Sequence, residues 1–347
     1  MHDAMSLFGA LANGQLPRRV PIIANLIDQG AQELGLSCSD YYRNADNVIE
    51  GQLRLLDKYG HDVVWGAHYI ARFAEMLGSQ RTLFPERGAP NVGDMVIKKW
   101  QDIEKLEIPK DITSHPSFEI QAKTITALSR ELGSKVPVCA FQVGTFTLPS
   151  ILMGMDGWME LLLTGPRSLV EELLTKCSDF SISVFKAFRE AGAAFIAYAN
   201  PMASPDFFGL EKIAAWALPW TVRDIEQAGA DGFIYFCGGA KIASTIPMLM
   251  EHTPIGIFYL NPFDDIRAAK NIAGGKALIV AAINDISLID DTDTRIRQSV
   301  KRIMQTGSPG GGFIFGTLMM PTQIPEPHIH AMIQAGHKYG TYHIPEA

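Results

Sequence analysis

Ala277-Leu-Ile-Val-Ala-Ala-Ile283 carries no polar side chain and then meets Asn284-Asp285. The run is far short of the ~18 apolar residues that cross a bilayer, but it is long enough for a β-strand covered on both faces. Downstream, Thr292–Thr306 places Ile296, Val300 and Ile303 on one face and Arg and Lys on the other. That is a helix pattern, with Gly307 as its stop signal. A second strand-like run, Gly312–Thr317, follows the helix. The same alternation extends back through the chain. Further strands are predicted at Val20–Asn25, Asp62–Ala67, Val136–Val143, Ala194–Ala199, Gly232–Cys237 and Ile255–Leu260. Continuous apolar runs of this kind belong to parallel sheets buried on both sides.

Helical patterns lie between them at Asn47–Tyr59, Ser117–Leu132, Ser168–Ala191 and Leu210–Ala228, with a last one at His328–Lys338. Pro219 should kink or split the fourth. Eight β-α alternations predict an α/β fold of the (β/α)8 TIM-barrel type. The competing open, doubly wound sheet lacks support, because no Gly-x-Gly-x-x-Gly follows the first strand. The stretch from Ala67 to Val136 is too long for one helix and holds Pro85, Pro90, Pro109 and Pro116. An irregular excursion is expected over about 78–115, near the barrel mouth. Residues 1–347 are read as one barrel domain.

Composition narrows the function. Hydrophobic residues make up 47% of 347 and charged residues 19%, with a net charge of −7. Disorder needs the opposite balance. A nucleic-acid partner is not expected, since phosphates call for a basic surface. No membrane association is expected either. Cysteines 38, 139, 177 and 237 form no Cys-x-x-Cys and no disulfide framework. The N-terminus lacks the basic region of a signal peptide. A cytoplasmic location is therefore expected.

In a barrel the site lies at the C-terminal strand ends. The polar residues there are Asn25 and Asp28, His68, Gln142, Asn200, Tyr235 and Cys237, Asn261 with Asp264 and Asp265, Asn284 and Asp285, and Thr317 with the loop to Gln323. Cys237 precedes Gly238-Gly239, where backbone can approach a ligand closely. It reads either as a metal ligand or nucleophile, or as one of the many cysteines that simply pack. His328 and His330 read as the start of a surface helix rather than a metal pair, and Gly310-Gly311-Gly312 as a turn.

Several segments together resemble the uroporphyrinogen decarboxylase superfamily, and within it the corrinoid-dependent methyltransferases. They are Arg18-Arg-Val-Pro-Ile-Ile, Tyr59-Gly-His-Asp-Val-Val64, Phe84-Pro-Glu-Arg-Gly-Ala-Pro90, Ala199-Asn-Pro-Met-Ala-Ser204, Ala230-Asp-Gly-Phe-Ile-Tyr-Phe-Cys-Gly238 and Gly312-Phe-Ile-Phe-Gly316. Their order covers nearly the whole chain, and the resemblance implies the same barrel. It also implies a cobalamin cofactor carried by a separate corrinoid protein as partner, because no Asp-x-His-x-x-Gly occurs here. The decarboxylases carry an Arg-rich N-terminal segment; the matching stretch, Ala24-Asn-Leu-Ile-Asp-Gln-Gly30, has no Arg. The methyltransferases bind zinc through His-x-Cys after the fifth strand and a Cys after the eighth. Here Tyr235 matches the His and Cys237 the first Cys, while Gly316-Thr-Leu-Met-Met-Pro321 has no Cys.

The resemblance thus implies a methyltransferase moving methyl between a small methylated substrate and corrinoid cobalt. A methoxylated aromatic is the favoured donor, with O-demethylation as the reaction. Tyr235 and Cys237 are the expected catalytic residues, with Cys237 as a zinc ligand if zinc is held. Asn25, His68, Gln142, Asn200, Asn261, Asn284 and Met319 are the expected substrate contacts, and Trp65, Phe141, Phe146, Phe236 and Met319 an apolar pocket or ordinary core. The alternatives are a uroporphyrinogen-type decarboxylase and a catalytically silent barrel that binds corrinoid or its carrier.

Overall fold

A computed structural model describes residues 3–66, 69–86 and 88–342. Eight parallel strands form one sheet: β1 (Ile22–Asn25), β2 (Val64–Trp65), β3 (Val138–Val143), β4 (Phe195–Ala199), β5 (Phe233–Phe236), β6 (Ile257–Leu260), β7 (Leu278–Ile283) and β8 (Phe313–Met319). Their order around the sheet is β1-β8-β7-β6-β5-β4-β3-β2, each paired with its neighbour in parallel. Between β1 and β2 the barrel is drawn shut without a full ladder. The Asp62 N–H donates to the Ile22 carbonyl (2.9 Å), and the Asp62 carboxylate accepts the Ile22 N–H (2.7 Å). Arg19 grips the same carboxylate from two nitrogens at 2.6 and 2.7 Å. Eight of the eight expected strands are present, and the second is shorter than its apolar run.

Helices cover the outside. Ala45–Tyr59, Pro116–Leu132 and Arg167–Glu190 match the expected segments within a residue or two. The fourth segment is split, as Pro219 requires, into Leu210–Trp216 and Leu218–Ala228, with the proline in the first turn of the second piece. The helix expected at Thr292–Thr306 runs Asp293–Gly307, so Gly307 lies inside its end and Ser308 caps it. The stretch 78–115 holds a small antiparallel pair, Thr82–Leu83 with Asn91–Val92, a one-turn helix Asp102–Lys105 and a 3-10 turn Ile112–Ser114.

Which face each strand residue takes is set by contacts. The ring of Phe233 stacks on Phe185 of the helix Arg167–Glu190 (5.3 Å, 22°), so Phe233 faces outward. Its neighbours at odd positions on β5 share that side, and Phe236 faces in. On β6, Tyr259 points inward and its hydroxyl donates to the Thr317 carbonyl two strands away. Gly316 makes this possible: a Cβ there would lie 2.3 Å from the Tyr259 hydroxyl oxygen.

Candidate active site

A cavity of about 660 Å³ opens at the C-terminal ends of the strands. Phe141 and Val143 of β3, Ala199 of β4, Phe236 of β5, and Leu318 and Met319 of β8 form its floor. Its walls come from the loops beyond, with Thr147, Met155, Met202, Phe207, Gly238-Gly239, Asp285 and Ile286 among them. The rings of Phe141 and Phe236 stand almost at right angles (80°) with centroids 6.2 Å apart. Gly238 and Gly239 hold positive φ (+60° and +100°), and a Cβ on Gly238 would meet the Pro201 ring at 2.7 Å. This turn therefore needs glycine to bring backbone to the cavity edge.

Two carboxylates line the cavity. Asp206 accepts the Lys241 N–H at 2.8 Å and belongs to the exposed rim. Asp285 is only 4% exposed. Burial pushes its carboxyl up to about 6, against the opposing pull of its own N–H and that of Ile286. No Lys, Arg or His is found among the described residues of the lining.

The residues singled out from the sequence fall into three groups. Met319 lines the cavity. Asn200 and Asn261 hold its walls from behind. Asn200 is fully buried, accepts the Thr147 hydroxyl (2.9 Å) and reaches Thr221 on the outer helix (3.4 Å). Asn261 donates from Nδ2 to the Gly239 carbonyl (2.6 Å) and so ties the loop after β6 to the glycine turn after β5. The third group lies away from the lining. Gln142 faces outward and donates to the Ser181 carbonyl of a helix at 2.6 Å. The Asn284 carbonyl accepts the Ser287 hydroxyl (2.8 Å). Asn25, at the end of β1, offers its N–H to Thr317 (2.9 Å), and its buried Oδ1 has no partner among the described residues. His68 lies outside the described residues.

Tyr235 and Cys237 are both buried, at 1% and 0% exposure, and neither lines the cavity. The Tyr235 ring packs on Tyr198 (6.3 Å) and Phe258 (6.4 Å) in the layer between barrel and helices. Burial raises its phenol well above the ordinary value, and the Asn200 side chain is its hydrogen-bond partner. Burial likewise pushes the Cys237 thiol up to about 12, with a backbone hydrogen bond from Gly239 pulling the other way and the nearby Asp264 charge raising it further. Such a thiol stays protonated at neutral pH. Among the described residues no group of three His, Cys, Asp or Glu side chains is arranged to hold a metal ion. Among the described residues, the donors around Cys237 do not make up the zinc site that the resemblance implied.

What sequence reading passed over is the choice of Asp285 above Asn284. Both follow β7, but only Asp285 is placed on the cavity side. Strand alternation would choose the other residue. Val280 and Ala282 pair with the inward Tyr259 and Gly316, so the period of β7 aims Asn284 inward, and it is the turn after Ile283 that brings Asp285 to the cavity.

Comparison with known proteins fits this barrel. A family profile described as "Uroporphyrinogen decarboxylase (URO-D)" matches residues 3–339. The chain belongs to this family. Among curated relatives, the methylcobamide:CoM methyltransferase MtbA of Methanosarcina acetivorans is 25% identical over 278 residues, covering 78% of each chain. The uroporphyrinogen decarboxylase of Geotalea uraniireducens is 27% identical over 255 residues, 70% of this chain and 71% of that one. A solved methyltransferase from Methanosarcina mazei superposes with a TM-score of 0.84 over 98% of this chain and 99% of its own, at 18% identity. That likeness speaks for the fold.

Proposed function

We propose that the protein is a methyltransferase that moves a methyl group between a small methylated compound in the cavity and the cobalt of a corrinoid on a separate carrier protein. The observation that carries this reading is the cavity itself. It is apolar, ring-sized and open at the strand ends, in a chain whose family includes methylcobamide methyltransferases. Cob(I)alamin supplies a strong nucleophile for the methyl carbon. The chain's own part is to hold the methyl donor with its methyl toward the mouth and to exclude water from it. Asn200 through Thr147, and Asn261 through Gly239, keep the walls in register. Tyr235 and Cys237 act in this reading as wall and support.

Porphyrinogen decarboxylation is less well supported. Its substrate carries several carboxylates, and the described lining offers Asp206 and Asp285 but no cation to pair with them. A methoxylated aromatic ring remains a second candidate donor, favoured by the Phe141–Phe236 corner. In that case Asp285 would protonate the leaving oxygen.

The test is to mix the purified protein with cob(I)alamin and a panel of methylated compounds and follow the cobalt spectrum. Protein-dependent formation of methylcobalamin from at least one donor is the expected result. Decarboxylation of uroporphyrinogen without any methyl transfer would overturn it, as would a complete lack of both activities with a folded protein and a corrinoid carrier present.

A further inference from the structure

We propose that the cavity selects a small methylated cation, a quaternary ammonium or a sulfonium, as its methyl donor, with Asp285 as the counter-charge and the Phe141–Phe236 corner as the surface that receives the methyl groups. The proposal rests on the methyl-transfer reading above and decides between donors within it.

Three observations converge. Phe141 and Phe236 present rings at 80° to one another on the cavity floor, and Phe207, 37% exposed, adds a third at the rim. Aromatic faces grouped in this way attract cations through their quadrupoles. The charged side chains of the described lining, Asp285 and Asp206, are both acidic. Among the described residues, Cys237 and Tyr259 feel the Asp285 charge, and burial keeps both neutral. The remaining wall includes the thioethers of Met155, Met202 and Met319, which are polarisable and adapt to the shape of a substituent. A cavity of about 660 Å³ leaves room for such a substituent beside a trimethylammonium head.

The chemistry closes without help. The carbon–nitrogen or carbon–sulfur bond breaks with its electron pair going to nitrogen or sulfur, and a neutral amine or thioether leaves. The methyl carbon bonds to cobalt with the pair that cob(I)alamin supplies, so cobalt passes formally from I to III. No proton moves and no Lewis acid is needed at the leaving atom. A methoxylated ring, in contrast, loses an alkoxide or phenoxide, a poor leaving group unless it is protonated or coordinated.

Calorimetric titration of the whole protein tests this with tetramethylammonium, trimethylsulfonium and choline, set against 3,3-dimethylbutan-1-ol, the uncharged isostere of choline, and against methoxybenzene. At least one cation should bind, and choline should bind about tenfold or more tightly than its isostere. Asp285→Asn should bring the pair to within about threefold by weakening the cation alone, and Phe207→Ala should weaken the cation a few-fold. Thermal unfolding of both variants confirms that they are folded. The proposal is overturned if the isostere or methoxybenzene binds as tightly as the cations, if none of the cations binds below about 10 mM, or if folded Asp285→Asn keeps the preference. Adding cob(I)alamin separates the two levels. Cation binding with no methylcobalamin formed removes the methyl-transfer reading and keeps the subsite. Methyl transfer from methoxybenzene without cation binding removes the subsite and keeps the reading.

Discussion

Asp224 and Asp285 are both buried, at 3% and 4% exposure, and burial pushes both carboxyls up to about 6. They sit on opposite sides of the barrel wall. Asp224 lies in the outer layer on the helix Leu218–Ala228, where Thr145 (2.6 Å), Ser178 (2.5 Å) and Tyr198 (2.6 Å) all donate hydroxyls to it. Asp285 lies at the mouth, supported among the described residues by nearby backbone N–H groups and open to a cavity. The same perturbed acidity therefore has two meanings. A carboxylate saturated by the chain's own donors is part of the frame. One left with unfilled acceptor capacity beside a cavity is available to a ligand.

The largest effect should come from removing the framed carboxylate. Asp224→Ala leaves three buried hydroxyls without their acceptor and loosens Thr145, whose N–H also donates to the Tyr198 hydroxyl at 2.9 Å. A loss of about 3–5 kcal/mol is expected in urea denaturation. If Asp224→Ala were as stable as the native protein, the network would not be a frame.

Next is the pH dependence of that same group. Its carboxyl is held at about 6 against an ordinary 3.8, so the folded state keeps the proton to higher pH than the unfolded chain does. The stability this gives is fully present below about pH 4 and is lost as the pH rises through 6. Relative to Asp224→Asn, which cannot ionise, the native protein should lose on the order of 2–3 kcal/mol between pH 4 and pH 7. A difference that stays constant over this range would show that Asp224 ionises no less readily when folded.

Asp285→Asn sharpens the contrast from the other side. The substitution removes a desolvated charge with few partners, so stability at pH 7 should stay within about 0.5 kcal/mol of native or rise. Methyl transfer from a cationic donor should fall about tenfold to a hundredfold, mainly through a higher KM, because the interaction is made in the bound ground state as well as the transition state. Unchanged kinetics with every donor tried would make Asp285 a bystander of the cavity.

How far the sequence reaches is shown by the same two regions. All eight strands were legible because continuous apolar runs between turn residues fit only strands covered on both sides. That same property hides the site. In β3 and β5 apolar residues face both ways, so no polar alternation tells an inward side chain from an outward one. Gln142 looks like a polar residue aimed at a ligand and is instead hydrogen-bonded to the Ser181 carbonyl on the helical side. Asn284 and Asp285 lie just past the end of β7, where the turn and not the strand period decides which side chain reaches the cavity. Family likeness pointed to Tyr235 and Cys237 by position along the strand, but both side chains are packed in the wall, out of the cavity lining.

The smallest expected effect belongs to Tyr235→Phe. The family resemblance makes Tyr235 an expected catalytic residue, and as a proton donor its hydroxyl would be worth about tenfold or more in turnover. Its place in the outer layer changes that expectation. The ring is held by Tyr198 and Phe258, and the hydroxyl is engaged with Asn200, which in turn accepts the Thr147 hydroxyl at 2.9 Å. Removing it keeps the packing and costs one buried hydrogen bond, about 1 kcal/mol in denaturant unfolding. Any influence on methyl transfer passes through Asn200 to Thr147 at the cavity edge, so kcat should change by less than about threefold and the pH profile should keep its shape. Asn200→Ala removes the relay itself and should exceed Tyr235→Phe in both stability loss and KM. A tenfold fall in kcat for Tyr235→Phe, with stability and KM untouched, would return the phenol to the chemistry and require the mouth to rearrange when substrate binds.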